Sequence, residues 1–195
     1  MLPVNGSKMN RQKAKEGTIQ LLGSIDDDPA REGLLGTPDR VSESMEFLTS
    51  GYHIDVRAVL HEALFTQESE DLVIVREIDY FSLCEHHLLP FFGKVHIGYI
   101  PKGRIVGISK LVRVVEALSR RLQVQERFTA QLADLVYSVL APHGVGVIVS
   151  GYHTCMAMRG VRQAGASVTT SAMRGVMLED LRTREEFLRL ASTKQ

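Results

Sequence analysis

Only two cysteines occur in this chain of 195 residues, Cys84 and Cys155, and each comes with a histidine at ligand spacing. One segment reads Cys84-Glu85-His86-His87, the other His153-Thr154-Cys155. If the two thiols share a partner, the fold must bring these distant segments to one point. Two soft thiols and a borderline imidazole suit a zinc ion held by Cys84, His87 and Cys155. Structural zinc normally takes four protein ligands, so three leave one coordination position open, as in catalytic sites. A disulfide is the competing use of the same thiols. No apolar run approaches the roughly 20 residues of a bilayer span, and the polar start Asn5 to Lys15 lacks the apolar core of a secretory signal. The expected compartment is the cytoplasm, where thiols stay reduced and open to a metal.

Composition adds limits. A hydrophobic content of 44% supports one packed core, and Lys plus Arg equals Asp plus Glu at 23 each. A balanced charge gives no general attraction to nucleic acid or an anionic membrane, so an anionic ligand must meet a local cluster of cations.

The chain opens with helical signals. A helix is expected over about Met9 to Leu22, closed by Gly23, with Asp26-Asp27-Asp28-Pro29 as the connecting turn. Thr37-Pro38 reads as an N-cap followed by proline, and Val41, Met45 and Leu48 recur at helical spacing until Gly51. From Leu72 the pattern changes to strands: Leu72 to Val75, then Val95, Ile97 and Tyr99 in alternation, then Ile105 to Ile108 after the turn Pro101-Lys102-Gly103, together an antiparallel meander. Two amphipathic helices follow. The first opens at Ser109 with Leu111, Val114, Val115, Leu118 and Leu122 on one face, and the second carries Phe128, Leu132, Leu135, Val136 and Val139 as far as Pro142. Strand character returns at Val145 to Tyr152, continues through His153 to Met158 and recurs at Ser167 to Ser171, before an amphipathic segment Thr183 to Leu190. This order defines an α+β domain.

Each candidate site residue has a chemical reason. Cys84 and His87, three apart, can face one ion from a turn, with His86 directed elsewhere. In a strand, His153 and Cys155 would project from one face about 6 to 7 Å apart, placing a proton carrier beside a metal ligand. Ser109 and Lys110 stand at a strand-to-helix junction with Arg113 one turn on, an arrangement suited to an anion. Arg159 lies shortly after Cys155, and Arg40 sits in a first helical turn, where the helix dipole disfavours a cation. Gln125-Glu126 joins the two long helices; a carboxylate there can accept the paired N–H groups of a guanine edge, with an amide beside it. No P-loop or G-x-G-x-x-G pattern is present.

These residues stand in strings that resemble GTP cyclohydrolase I: Gly36-Thr-Pro-Asp-Arg40, Cys84-Glu-His-His-Leu-Leu-Pro-Phe-Phe-Gly93, Tyr99-Ile-Pro101, Gly107-Ile-Ser-Lys-Leu111, Arg121-Leu-Gln-Val-Gln-Glu-Arg127, Met158-Arg-Gly160 and Thr183-Arg-Glu-Glu-Phe187. The resemblance runs from about Arg31 to Leu190. It implies the tunnelling fold in a catalytic domain over residues 53–195, while the helical signals before it read as an N-terminal arm over residues 1–52. It also implies a ring-shaped homo-oligomer, usually a decamer of two pentamers, with sites between subunits. The implied reaction is zinc-assisted attack of water on C8 of GTP, loss of formate and rearrangement to 7,8-dihydroneopterin triphosphate, at the head of tetrahydrofolate and pterin synthesis. On this resemblance Cys84, His87 and Cys155 hold zinc, and His86 and His153 move protons. Glu126 with Gln125 anchors guanine, and Ser109, Lys110, Arg113, Arg159 and Arg40 hold the triphosphate, Arg40 from a neighbouring subunit. No nucleic-acid or membrane partner is implied.

Two departures stand out: Ser150-Gly151 replaces an acidic residue and alanine common in the family, and Ala166-Ser167 lacks the Ser-Lys pair of many relatives. Two other readings remain open at this point. One is the nitrile-reductase branch of the same fold, which uses a free cysteine and NADPH; the other is a noncatalytic zinc-stabilised binding module with a fourth protein ligand.

Overall fold

The computed structural model describes residues 9–26 and 28–193. The first part of the polar start and Asp27 of the expected turn lie outside the described residues. Helix α1 (Arg11–Ile25) is capped by Asn10, whose side chain accepts from the Lys13 N–H at 2.9 Å. It runs past Gly23 to Ile25, further than expected. After the short α2 (Glu32–Leu35), α3 (Thr37–Leu48) carries proline in its first turn and Gly36, not Thr37, at the cap. The two longer helices pack together through ion pairs Arg11–Glu46 and Lys15–Asp39 and through Ser42, which is buried and bonds the Arg11 carbonyl.

Helix α3 ends at Leu48, and a 3₁₀ turn over Ser50–His53 carries the chain to the main body. Gly51 is needed there because a Cβ would fall less than 3.0 Å from the Ala117 and Arg120 carbonyls. The buried Arg121 guanidinium donates to Gly51 O and Ala117 O, and the Tyr52 hydroxyl accepts from Leu122 N–H, pinning this turn to the end of a long helix. Helix α4 (Val56–His61) and strand β1 (Leu64–Thr66) follow, neither marked by the sequence pattern.

The main sheet has β2 (Val73–Cys84), β3 (Pro90–Ile100), β5 (Leu122–Gln123), β6 (Gly144–His153) and β7 (Val168–Gly175) in the order β5-β2-β3-β6-β7. All neighbours are antiparallel except β5 beside β2. The expected meander is corrected at its third member. Strand β4 (Arg104–Val106) pairs with β1 in a separate two-stranded sheet. It is too short to run along β3, whose free edge is taken over its whole length by β6.

Helices α5 (Ile108–Ser119) and α6 (Gln125–Leu140) cover one face. Leu111, Val114, Val115 and Leu118 of α5 and Phe128, Leu132 and Val136 of α6 are completely buried with Val95, Ile97, Val145, Val147 and Val149 of the sheet. Leu122, expected on the α5 face, belongs to β5, because Arg121 is tied to Gly51 and the helix stops at Ser119. Beyond β6 come α7 (Thr154–Ala157), then α8 (Val176–Glu179) and α9 (Leu181–Ser192). Phe187 and Met177 pack on the opposite face over Gly98 and Gly146, where a side chain would collide with the Phe187 ring. The architecture is α+β, as the pattern of elements implied.

Candidate metal centre and its surroundings

Strand β2 ends at Cys84 and the chain reverses at once. The Cys84 carbonyl accepts from His87 N–H at 3.3 Å and Leu88 N–H at 2.8 Å, while Cys84 N–H donates to Leu89 O at 2.9 Å and leads into β3. Leu88 takes a left-handed backbone conformation, φ +55°, to close this turn. Cys84 and His87 therefore lie on one side of it, with Sγ and Nδ1 3.8 Å apart.

Cys155 arrives differently from the strand expected. Phe91 and His153 are the last paired residues of β3 and β6, and β7 pairs β6 only as far as Gly151. Beyond His153 an extended chain would find no partner, so it turns into α7, which satisfies its own backbone through Met158 N–H to Thr154 O at 3.0 Å. The Thr154 hydroxyl donates to Pro90 O at 2.6 Å and ties this corner to the hairpin.

The two turns bring together one donor atom each from Cys84, His87 and Cys155, all within 4.8 Å of one another. Zn–S and Zn–N bonds of about 2.3 and 2.0–2.1 Å imply roughly 3.6 Å across a tetrahedral S–N edge, close to the observed Cys84–His87 separation. The donor set fits zinc in chemistry and spacing. Burial and the neighbouring Cys84 sulfur hold the Cys155 thiol above its ordinary pKa, so metal uptake must displace protons. Both cysteines are free thiols, so the disulfide alternative does not apply.

His153 does not overhang Cys155 along a strand. Its ring stacks on Phe91, with centroids 4.6 Å apart and planes within 11°, and its Nε2 lies 2.8 Å from Gln125 Oε1. Burial lowers its pKa, with partial opposition from the nearby Glu126 carboxylate. Glu126 itself is exposed in the first turn of α6. Gln125, expected at the guanine edge, is instead 1% exposed and points inward. His86 is directed to solvent, edge-on to His87 and 4.0 Å from the Glu85 carboxylate.

Of the cations expected to hold phosphate, Arg159 reaches the centre: its guanidinium lies 2.7 Å from His87 Nε2, and Nδ1 faces the sulfur. Lys110 pairs with Glu62 at 2.7 Å, and this lysine, with Arg113 behind it, holds the Glu62 carboxyl below its ordinary range. Arg40 folds back onto Gly33 O and Thr37 Oγ1, both at 3.1 Å, which accounts for a cation in that first turn. Ser109 is exposed in the first turn of α5. Sequence reasoning missed Glu62, Phe91, Tyr80 and the Glu85–Arg127 ion pair that braces the metal turn; Phe91 and Glu85 lie inside the quoted Cys84–Gly93 string, whereas nothing marked Glu62 or Tyr80.

Three donors that could hold a metal ion stand beside an imidazole held by an internal amide, on an α+β scaffold, an arrangement suited to metal-assisted catalysis. A family model described as GTP cyclohydrolase I matches residues 14–192, and the chain belongs to that family. The GTP cyclohydrolase 1 of Chlorobium chlorochromatii is 56% identical over 170 residues, covering 87% of this chain and 76% of that protein. The Homo sapiens protein of the same name is 47% identical over 199 residues, covering 96% and 80%. A solved structure, the archaeosine synthase QueF-Like in the apo form, covers 55% of this chain and 97% of that one at 24% identity and TM-score 0.45, too slight a likeness to argue from. The protein is an enzyme with GTP cyclohydrolase I activity, which sets aside the nitrile-reductase and noncatalytic readings. No helix among the described residues is long and apolar enough to cross a membrane.

Proposed function

We propose that this enzyme converts GTP and water to formate and 7,8-dihydroneopterin triphosphate at a zinc site formed by Cys84, His87 and Cys155. The convergence of their three donor atoms beside His153 carries the reading. Bound zinc supplies Lewis acidity that brings the pKa of water toward neutrality. Glu126, exposed at the start of α6 and near His153, accepts the N1–H and 2-amino protons of guanine and sets the purine over the centre. His153, fixed in plane by Phe91, transfers protons during ring opening, and the solvent-facing His86 exchanges protons during rearrangement of the ribose carbons.

Arg159, with Lys110, Arg113 and Ser109, holds the triphosphate, and Arg40 completes the cluster from a second subunit. Supporting an intersubunit site, the described partners of Lys110 and Arg40 are Glu62, Gly33 and Thr37, none of them a member of the metal group. The assembly proposed is a tunnelling-fold ring, a decamer of two pentamers, with residues 1–52 as a helical arm and 53–195 as the catalytic domain. The enzyme works in the cytoplasm at the head of tetrahydrofolate and pterin synthesis. Incubating the purified protein with GTP and assaying formate together with the fluorescent oxidised pterin tests this. The two are expected in equal amounts, lost on chelation and restored by zinc; turnover that withstands complete metal removal would contradict the proposal.

A further inference from the structure

The Gln125 side chain has a defined orientation. Its Nε2 faces the carbonyls of Val149 at 3.1 Å and Val168 at 3.0 Å, and the Thr170 hydroxyl at 3.2 Å. A carbonyl only accepts, so the amide nitrogen must lie on that side. Thr129 completes the circuit by donating to Gln125 O at 2.7 Å while its oxygen lies 2.6 Å from Thr170 Oγ1. Gln125 Oε1, an acceptor, is therefore left facing His153 Nε2 at 2.8 Å and the buried Tyr80 hydroxyl at 3.5 Å. A neutral imidazole that donates from Nε2 presents Nδ1 as its lone-pair nitrogen.

The space for this arrangement depends on residue 151. A Cβ at Gly151 would fall less than 3.0 Å from both Gln125 Oε1 and the Tyr80 hydroxyl. Neither can retreat easily, because the Tyr80 ring is wedged edge-on to Phe91 at 5.9 Å and against Phe128 at 5.2 Å. Alanine at position 151 does not fit this packing.

We propose that Gly151 admits an internal Tyr80–Gln125 pair that holds His153 in its Nε2–H tautomer, making Gln125 and Gly151 positioning residues for the proton-transfer step rather than guanine contacts. This rests on the reading of His153 as a proton carrier. In substrate-free, zinc-loaded protein labelled with ¹⁵N-histidine, solid-state spectra assigned by comparison with His153→Gln show a single Nε2–H tautomer for His153. Gly151→Ala replaces it by a mixture of tautomers, lowers kcat by roughly 10- to 100-fold, changes KM for GTP by less than about threefold and leaves zinc content intact. Adding Tyr80→Phe removes one of the two clashes and recovers part of the loss. Should Gly151→Ala fail to fold, Gln125→Met decides, since it keeps the side chain's length but removes the acceptor; it is expected to reproduce the mixture and the kcat loss. An unchanged tautomer in either variant, or a Gln125→Met effect confined to KM, overturns the proposal. The spectra need no turnover, so a wild-type protein inactive on GTP would refute the reaction and not the tautomer.

Discussion

Cys84, His87 and Cys155 are gathered by backbone turns of one chain, whereas Lys110 and Arg40 are each engaged with a neighbour of their own. The difference follows from how each group is held. The metal donors sit where β2 and β6 run out of partners, and hydrogen bonds at Leu88, Leu89 and Thr154 leave little freedom. Lys110 and Arg40 lie on helices, on long side chains: the Lys110 pair with the exposed Glu62 carboxylate can exchange for a stronger anion at little cost, and Arg40 is held by the Gly33 carbonyl and the Thr37 hydroxyl. A site of this kind has one rigid half, where chemistry needs geometry, and one adaptable half, where binding needs charge.

Substitutions can break the comparison. The largest effects are expected at the rigid half: Cys155→Ala loses turnover entirely, while His153→Ala loses roughly 10²- to 10⁴-fold in kcat, the span typical of a general acid or base. Steady-state assays that showed equal, mild losses would remove the distinction between ligand and proton carrier. At the adaptable half, Lys110→Ala and Arg159→Ala should each weaken GTP binding about tenfold and guanosine binding much less. Calorimetry giving the same loss for both ligands would detach these residues from phosphate.

Smaller effects sharpen it. Glu62→Gln, which frees Lys110 from its carboxylate partner, is expected to change KM for GTP by no more than about threefold, as for an exposed pair. A larger change would make Glu62 part of the site. The smallest effect concerns stability. His96 is buried with Nδ1 unpartnered, and its pKa lies below the ordinary 6.5, chiefly through burial, with Glu77 opposing and Arg76 and Lys94 reinforcing. Below about pH 6.5 the unfolded chain binds the proton that the folded ring resists, so stability drops as pH falls through that window and is unaffected above it. Thermal unfolding at pH 7.5 and 5.5 should show this drop, and His96→Gln should flatten it.

The long helices were legible because Leu111, Val114, Val115 and Leu118 repeat at helical spacing, and their burial against the sheet follows from that repeat. The Cys84–His87 half of the metal group was legible for a similar reason, since a three-residue spacing suits one tight turn. The Cys155 half was misread: the residues after His153 look like strand, and only the end of pairing at Phe91 makes them turn helical. The inward turn of Gln125 carried no local signal, because it depends on space left by Gly151 on strand β6. What was lost in each case was information about neighbours distant in sequence.

The central claim is that three side chains share one ion. Elemental analysis of the purified wild type and of Cys84→Ala, His87→Ala, Cys155→Ala and His153→Ala tests it most directly. The account predicts about one zinc per chain in the wild type and in His153→Ala, and almost none in the three ligand variants. Full zinc retention in any of those three, or its loss in a folded His153→Ala, would contradict it.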